Sequence, residues 1–294
     1  MCEASSPEVE EPYQAQRCSA RILQSSVALT YDNDSMSQRW PDRLWLVRHG
    51  ESAGNVARDA ADAAGLPVID IAGRDVDVPL SALGREQSAA LGRWFAALPE
   101  SERPSALLSS PYARARQTAA AIDAAGGITA ESVRRVDERL REKEFGVLDR
   151  LTRVGIEQRY PDQAEARNRV GKFYHRPPGG ESWCDVILRL RSVLDTISLH
   201  YSRPGTRVLI VAHQVIVLCF RYLIEEMNEE QVLAIDRDSD VVNCGVTEYA
   251  LQRNAKADAV EGPKLELVRY NFVAPLEQAG APVTSEADAP GAPR

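Results

Sequence analysis

Arg43-Leu44-Trp45-Leu46-Val47-Arg48-His49-Gly50-Glu51-Ser52 is the stretch from which the rest of the chain can be read. It opens with a short apolar run and ends in a polar cluster, the pattern of a buried β-strand. Far downstream the pattern returns. Gly205 offers a turn, Arg207–Ala212 (RVLIVA) is a second apolar run, and it too ends in a histidine, His213, followed by Gln214. Around these two anchors the signals alternate. Leu83, Ala90, Leu91, Trp94, Phe95 and Leu98 fall at helical spacing behind Ser81, a side chain suited to cap a helix. Ser105–Ser109 reads as another strand and Tyr112–Ala125 as an Ala-rich helix. Trp183, Val186, Ile187, Leu190, Val193, Leu194 and Ile197 recur at three and four and predict an amphipathic helix. An apolar helix follows from about Val215 to Ile224, and Gly245–Leu251 and Leu265–Tyr270 read as edge strands. Strands interleaved with helices predict an α/β three-layer sandwich, its mainly parallel sheet covered by helices on both faces. In such sheets ligands sit beyond the carboxyl ends of the strands, where both histidines fall.

Composition narrows the function. The chain has 294 residues, with 44% hydrophobic and 27% charged side chains, the balance of a soluble globular protein. A net charge of −8 argues against a dedicated nucleic-acid binder, which carries a basic stripe. No apolar run approaches the roughly 20 residues of a membrane span. The acidic Met1–Tyr13 lacks the basic-then-apolar order of a secretory signal, so a cytoplasmic location is expected. Acids are concentrated at the ends: residues 1–40 hold six against three arginines, and 275–294 hold three against one. The middle therefore has basic groups to spare for an anion. The expected organisation is a poorly ordered extension over 1–40, in which Ile22-Leu23 and Val27–Leu29 are candidates for a short strand. A single domain follows over 41–274, then a Pro/Ala-rich tail over 275–294, too poor in large apolar groups to order itself. The five cysteines, at 2, 18, 184, 219 and 244, have no zinc-ligand spacing and read as reduced thiols.

Three clusters carry chemistry. Arg48-His49-Gly50, with Ser52 and Asn55 behind it, places a guanidinium beside an imidazole at a strand end, where bidentate hydrogen bonds can hold a phosphate. Ser109-Ser110-Pro111-Tyr112-Ala113-Arg114-Ala115-Arg116-Gln117-Thr118-Ala119 joins a strand to a helix start, a natural anion site; alone, its arginines read equally as a solvated face. Glu138–Gly146 (ERLREKEFG) alone reads as a charged surface loop.

Together, and in this order, these elements resemble the histidine phosphatase (phosphoglycerate mutase-like) superfamily over about 43–250, with Pro79–Gln87 (PLSALGREQ) fitting a further family stretch. The resemblance implies that His49 is a nucleophile that accepts a phosphoryl group. It implies that Arg48, Arg114 and His213 neutralise the phosphoryl oxygens, with Asn55 assisting. Glu142, counted from Leu140 and Phe145, is implied as proton donor to the leaving oxygen, in preference to Glu138 or Glu144. Such chemistry uses a small phosphorylated substrate and requires no metal or other cofactor. Phosphatases and mutases share these elements. The mutases carry Gly-Asn after the second histidine, whereas Gln214 here is similar to the bisphosphatase domain of the bifunctional fructose-2,6-bisphosphate enzymes. Lys172–Trp183 (KFYHRPPGGESW) is similar to their basic, Tyr-rich segment. Lys172 falls where those enzymes place a substrate-binding Lys, and Arg167 and Arg169 lie near the position of a substrate-binding Arg, although 167–176 alone reads equally as a solvated loop. Ser52 and Gln214 are further candidate ligands. Those enzymes also carry a substrate-binding Arg five residues after the second histidine; Leu218 stands there in this chain, which leaves fructose 2,6-bisphosphate open as a substrate. The expected function is a metal-independent phosphomonoester hydrolase. The alternatives are a cofactor-dependent phosphoglycerate mutase and a catalytically weak protein that binds phosphorylated ligands or partners. Oligomeric state is not legible.

Overall fold

The computed structural model describes residues 39–252 and 263–285. The expected strand near Ile22–Leu29, the N-terminal extension up to 38 and the end of the tail from 286 lie outside them. Among the described residues six strands form one sheet: β1 (Arg43–Arg48), β2 (Ala106–Ser109), β3 (Val133–Val136), β4 (Arg207–Ala212), β5 (Val246–Gln252) and β6 (Lys264–Phe272). Their order is β3-β2-β4-β1-β5-β6. The first four neighbours are parallel, and β5 and β6 are added antiparallel beside β1. β6 is an edge strand as expected; β5 instead lies inside the sheet, between β1 and β6.

The alternation of side chains along β1 and β4 builds the three layers. Leu44, Leu46, Val208 and Ile210 face one core with α6 (Trp183–His200) and α7 (Gln214–Ile224). Trp45, Val47, Leu209 and Val211 face the other, with α2 (Ala82–Ala96) and α3 (Ala113–Ala124). Both strands are apolar on both faces because both faces are covered. The seven periodic residues of α6 are all buried, each such side chain contributing on the order of 1.5–3 kcal/mol. The helix α1 (Ala53–Ala63) and the pair α4 (Arg153–Arg159) and α5 (Pro161–Val170) carry no comparable apolar stripe; α5 buries none of its residues. Sequence periodicity therefore missed them. A short α8 (Glu229–Asp238) packs on α7.

The expected structureless tail from 275 requires correction over its first part. Ala274–Ala279 is a helix, α9, whose Leu276 is fully buried against Trp45 and its neighbours. Beyond it, Pro282 O and Thr284 Oγ1 accept hydrogen bonds from Gln87 Nε2, both at 2.9 Å. Buried Pro275 and Leu276 and these polar ties anchor a segment whose composition alone gave no reason for order.

Residues Pro79–Gln87 support the histidine loop from below. Ser81 caps α2, accepting from Gly84 N at 2.9 Å, and donates to Glu51 Oε1. Gln87 Oε1 accepts from Glu51 N at 2.9 Å. Gly50 and Gly84 let the two backbones meet: a Cβ on Gly50 would lie 2.5 Å from Gly84 O, and one on Gly84 would collide with the Glu51 carbonyl. Gly84→Ala is accordingly expected to cost about 1–3 kcal/mol, as overpacking does. Urea unfolding checks this, an unchanged midpoint being the contrary result.

Candidate active site

Register brings the site together. β1 and β4 pair in parallel with Arg48 opposite Ala212, so the next residues, His49 and His213, emerge side by side. β2 pairs with β4 with Ser109 opposite Val211, which brings Ser110 to the same edge. The two imidazoles lie edge to face with centroids 5.1 Å apart. Tyr112, which precedes α3, packs its ring edge to face with His213 at 5.0 Å and stacks beneath the Arg114 guanidinium at 4.8 Å.

A hydrogen bond fixes the His49 tautomer. His49 Nδ1 lies 2.7 Å from Gly50 O, which can only accept, so the proton is on Nδ1. Nε2 then carries the lone pair, and it accepts from Arg114 Nε at 3.2 Å. His213 Nε2 lies 2.7 Å from Ser110 Oγ. That hydroxyl also accepts from Tyr112 N at 3.3 Å. His213 Nδ1 has no hydrogen-bond partner among the described residues and stands 3.4 Å from Glu142 Oε2. A fully buried ring nitrogen without a hydrogen-bond partner is costly.

Burial, and then the Arg114 charge, hold both imidazoles well below the usual histidine pKa. Both effects favour the neutral form of the His49 ring. The same shift links stability to pH. Below about 6.5 the unfolded imidazoles take up protons that the buried ones refuse, so stability falls as pH drops from there through the folded-state values. His213→Asn removes one such group. Between pH 6.5 and 5 its unfolding free energy should fall less steeply than that of the parent, by up to ~1.4 kcal/mol per pH unit. Parallel pH profiles from urea titrations would contradict this.

Glu142 is nine-tenths buried, and its Oε1 accepts from Lys143 N at 2.8 Å. Arg48 Nη1 donates to Gln214 Oε1 at 3.0 Å and to Val241 O at 2.5 Å. Asn55 Oδ1 accepts from Ser52 N and from Ser52 Oγ, both at 2.8 Å, while Ser52 Oγ accepts from Asn55 N at 3.1 Å. Ser52 thus uses its hydroxyl to cap α1, and the Asn55 amide is left on the cavity wall. One cavity is lined by Arg48, His49, Ser52, Asn55, Arg114, Glu142 and Gln214. His213, fully buried, packs against the His49 ring, Arg167 lines a different cavity, and Lys172 lies outside both. That lysine pairs with Asp236 of α8 and lies over the Trp183 ring at 5.3 Å. Arg169 is exposed and Leu218 is a fully buried core residue, so neither reaches the cavity.

Sequence reasoning missed other wall residues. Asp75, from a turn at Asp75–Asp77, grips the outer edge of Arg114: Nη1 donates to its Oδ1 at 3.0 Å and Nη2 to its Oδ2 at 3.1 Å. That grip leaves the Arg114 Nε proton directed at His49. Arg58 and Arg150 line the same cavity. Arg58 follows Asn55 by three residues and shares its helix face, a signal available had α1 been read. Arg150, in a left-handed conformation at φ 58°, had none.

A model of the histidine phosphatase superfamily (branch 1) matches residues 44–257. A phosphoglycerate mutase-like protein of Arabidopsis thaliana is 34% identical over 167 residues, 53% of this chain and 53% of that protein. A probable fructose-2,6-bisphosphatase of Schizosaccharomyces pombe is 32% identical over 177 residues, 60% of this chain and 36% of that one. The match thus spans about half or less of these curated relatives. Among solved structures, a mycobacterial glucosyl-3-phosphoglycerate phosphatase in complex with VO3 is similar, with a TM-score of 0.59 at 25% identity. That likeness covers 78% of this chain and 99% of the other.

Proposed function

The chain belongs to the histidine phosphatase superfamily, and from that premise we propose that it hydrolyses phosphomonoesters of small metabolites through a phosphohistidine on His49. The observation that carries this reading is the His49 ring: neutral, with Nδ1–H held by Gly50 O and the Nε2 lone pair facing Arg114 and the neighbouring His213. Nε2 attacks phosphorus as the ester P–O bond breaks, and the leaving oxygen takes the proton of Glu142. The positive charge developing on the imidazole is met by the Gly50 carbonyl. Arg48, Arg114 and His213 stabilise the equatorial oxygens, and the Asn55 amide adds a donor. In the second step the Glu142 carboxylate takes a proton from water, which attacks phosphorus. The P–N bond breaks, and His49 and the acid are restored.

The relatives named as fructose-2,6-bisphosphatase and glucosyl-3-phosphoglycerate phosphatase support phosphorylated sugars or sugar acids as the substrate class. The leucine at 218, buried in the core, weighs against fructose 2,6-bisphosphate itself. A cytoplasmic setting belongs to the same proposal, supported by free thiols at Cys184 and Cys244. No helix of the described residues is long and apolar enough to cross a membrane. The test is phosphate release from p-nitrophenyl phosphate and a panel of phosphorylated metabolites, run beside a 2- to 3-phosphoglycerate interconversion assay. Hydrolysis without interconversion supports the reading. Interconversion primed by a bisphosphate would make the protein a mutase, and activity in neither assay would leave a binding protein.

A further inference from the structure

A second cavity lies on the other side of Phe145, whose ring lines both. It encloses about 100 Å3 between the 143–148 segment, α4, α5 and the His175–Pro177 turn, room for more than a single water. Its walls are of two kinds. Phe145, Leu148, Ile156 and Ala164 provide apolar surface. Lys143, Arg167 and His175 converge beside it, and Lys143 Nζ sits over the Phe145 ring at 4.4 Å. The other charged groups on the wall are Arg153 and Glu157, which pair with each other at 2.8 Å. His175 is 5% exposed, and its Nε2 has no hydrogen-bond partner among the described residues. A buried imidazole nitrogen left unpartnered at a cavity wall, beside two cationic side chains, is the arrangement expected of a donor for an anion.

We propose that this cavity is a binding subsite for an organic anion, and that it receives the alcohol half of a phosphomonoester that carries an apolar face and one further anionic group. The apolar face would lie on Phe145, Leu148 and Ile156, and the anion would meet His175 Nε2–H, Arg167 and Lys143. Glu142-Lys143-Glu144-Phe145 runs between the two cavities, so the proton donor stands where the two halves of such a substrate would join. Burial and then the Arg167 and Lys143 charges hold His175 below the usual imidazole pKa. A bound anion reverses the second effect and so reports itself through that ring. Binding in the cavity is independent of the phosphatase reading; the substrate class rests on it.

Two measurements separate the two. The His175 ring signals, assigned by their loss in His175→Gln, are followed by NMR as benzoate is added to the full chain. Benzoate has the apolar ring and the anion but no phosphate to transfer. Saturable movement of His175 with a raised pKa is expected, and Arg167→Gln should weaken it about tenfold. His175 signals that ignore benzoate would overturn the subsite whatever the catalytic activity. The second measurement compares kcat/KM for 4-carboxyphenyl phosphate with that for its neutral isostere, 4-carbamoylphenyl phosphate. The acid should be preferred about tenfold or more, with the preference collapsing in Arg167→Gln. Equal turnover of the two esters would overturn the substrate class. Benzoate binding with neither ester hydrolysed would uphold the subsite and count against the phosphatase reading instead.

Discussion

Replacing His49 with alanine is expected to lower phosphatase activity by roughly four powers of ten or more, the scale on which removal of a covalent nucleophile acts. The variant keeps Arg48, Arg114 and His213, so it should still bind inorganic phosphate or vanadate. The size of the effect follows from the division of labour in the site. Positioning and charge can lower the barrier only for a transfer that has an acceptor. With Nε2 gone, water would have to attack from a place the site does not shape for it. His49 is 3% exposed and its loss opens a small buried space, so thermal unfolding should accompany the kinetics. A folded variant with turnover near the parent's would move the nucleophile elsewhere.

Glu142→Gln should produce the second largest loss, about 10²–10⁴-fold on alkyl phosphates. Glutamine keeps the shape of the side chain and can still accept from Lys143 N, but it cannot deliver a proton. The need for that proton depends on the leaving group. An alkoxide leaves poorly without it, whereas p-nitrophenolate needs little help, so the loss on p-nitrophenyl phosphate should be smaller. In the proposed mechanism Glu142 also activates water in the second step, so the variant should accumulate phosphohistidine with the activated ester and show a burst of p-nitrophenolate. Equal small losses on both esters, with no burst, would make Glu142 a structural carboxylate. Its partner distances argue against that role: Oε2 is 3.4 Å from a histidine nitrogen that has no other partner among the described residues. Glu144, the nearest alternative in sequence, accepts from Tyr112 Oη at 3.1 Å instead.

Some of this was open to reading before any coordinates, and the reasons differ by residue. The apolar runs of β1 and β4 and the stripe of α6 are legible because burial on fixed faces imposes periods of two and of 3.6. His49 and His213 were legible as strand-end residues, and adjacency of two parallel strands then fixes their meeting. Arg114 and Glu142 were not legible in that way. Each sits in a polar cluster that physics alone reads as surface, and only the order of the clusters along the chain singled them out. Ser110 and Asp75 stayed hidden because their roles depend on contacts across 103 and 39 residues, which local pattern cannot carry. Lys172 shows the opposite failure. Its position by resemblance pointed to substrate, whereas the fold gives it Asp236 and the face of Trp183. α9 was missed because the order of the tail rests on buried Pro275 and Leu276 and a few hydrogen bonds to Gln87 and Asn243. Those bonds matter to the site, since Asn243 Nδ2 donates to His49 O at 3.0 Å.

The measurement that bears most directly on the chemistry is a rapid-quench trap of the enzyme during turnover of a phosphate ester labelled in its phosphoryl group. The quench is alkaline, because a phosphoramidate bond survives base and is lost in acid. Label retained on the protein, released by mild acid and mapped to the peptide that contains His49, is the predicted result. No base-stable label during demonstrable turnover, or label that persists in His49→Ala, would contradict it.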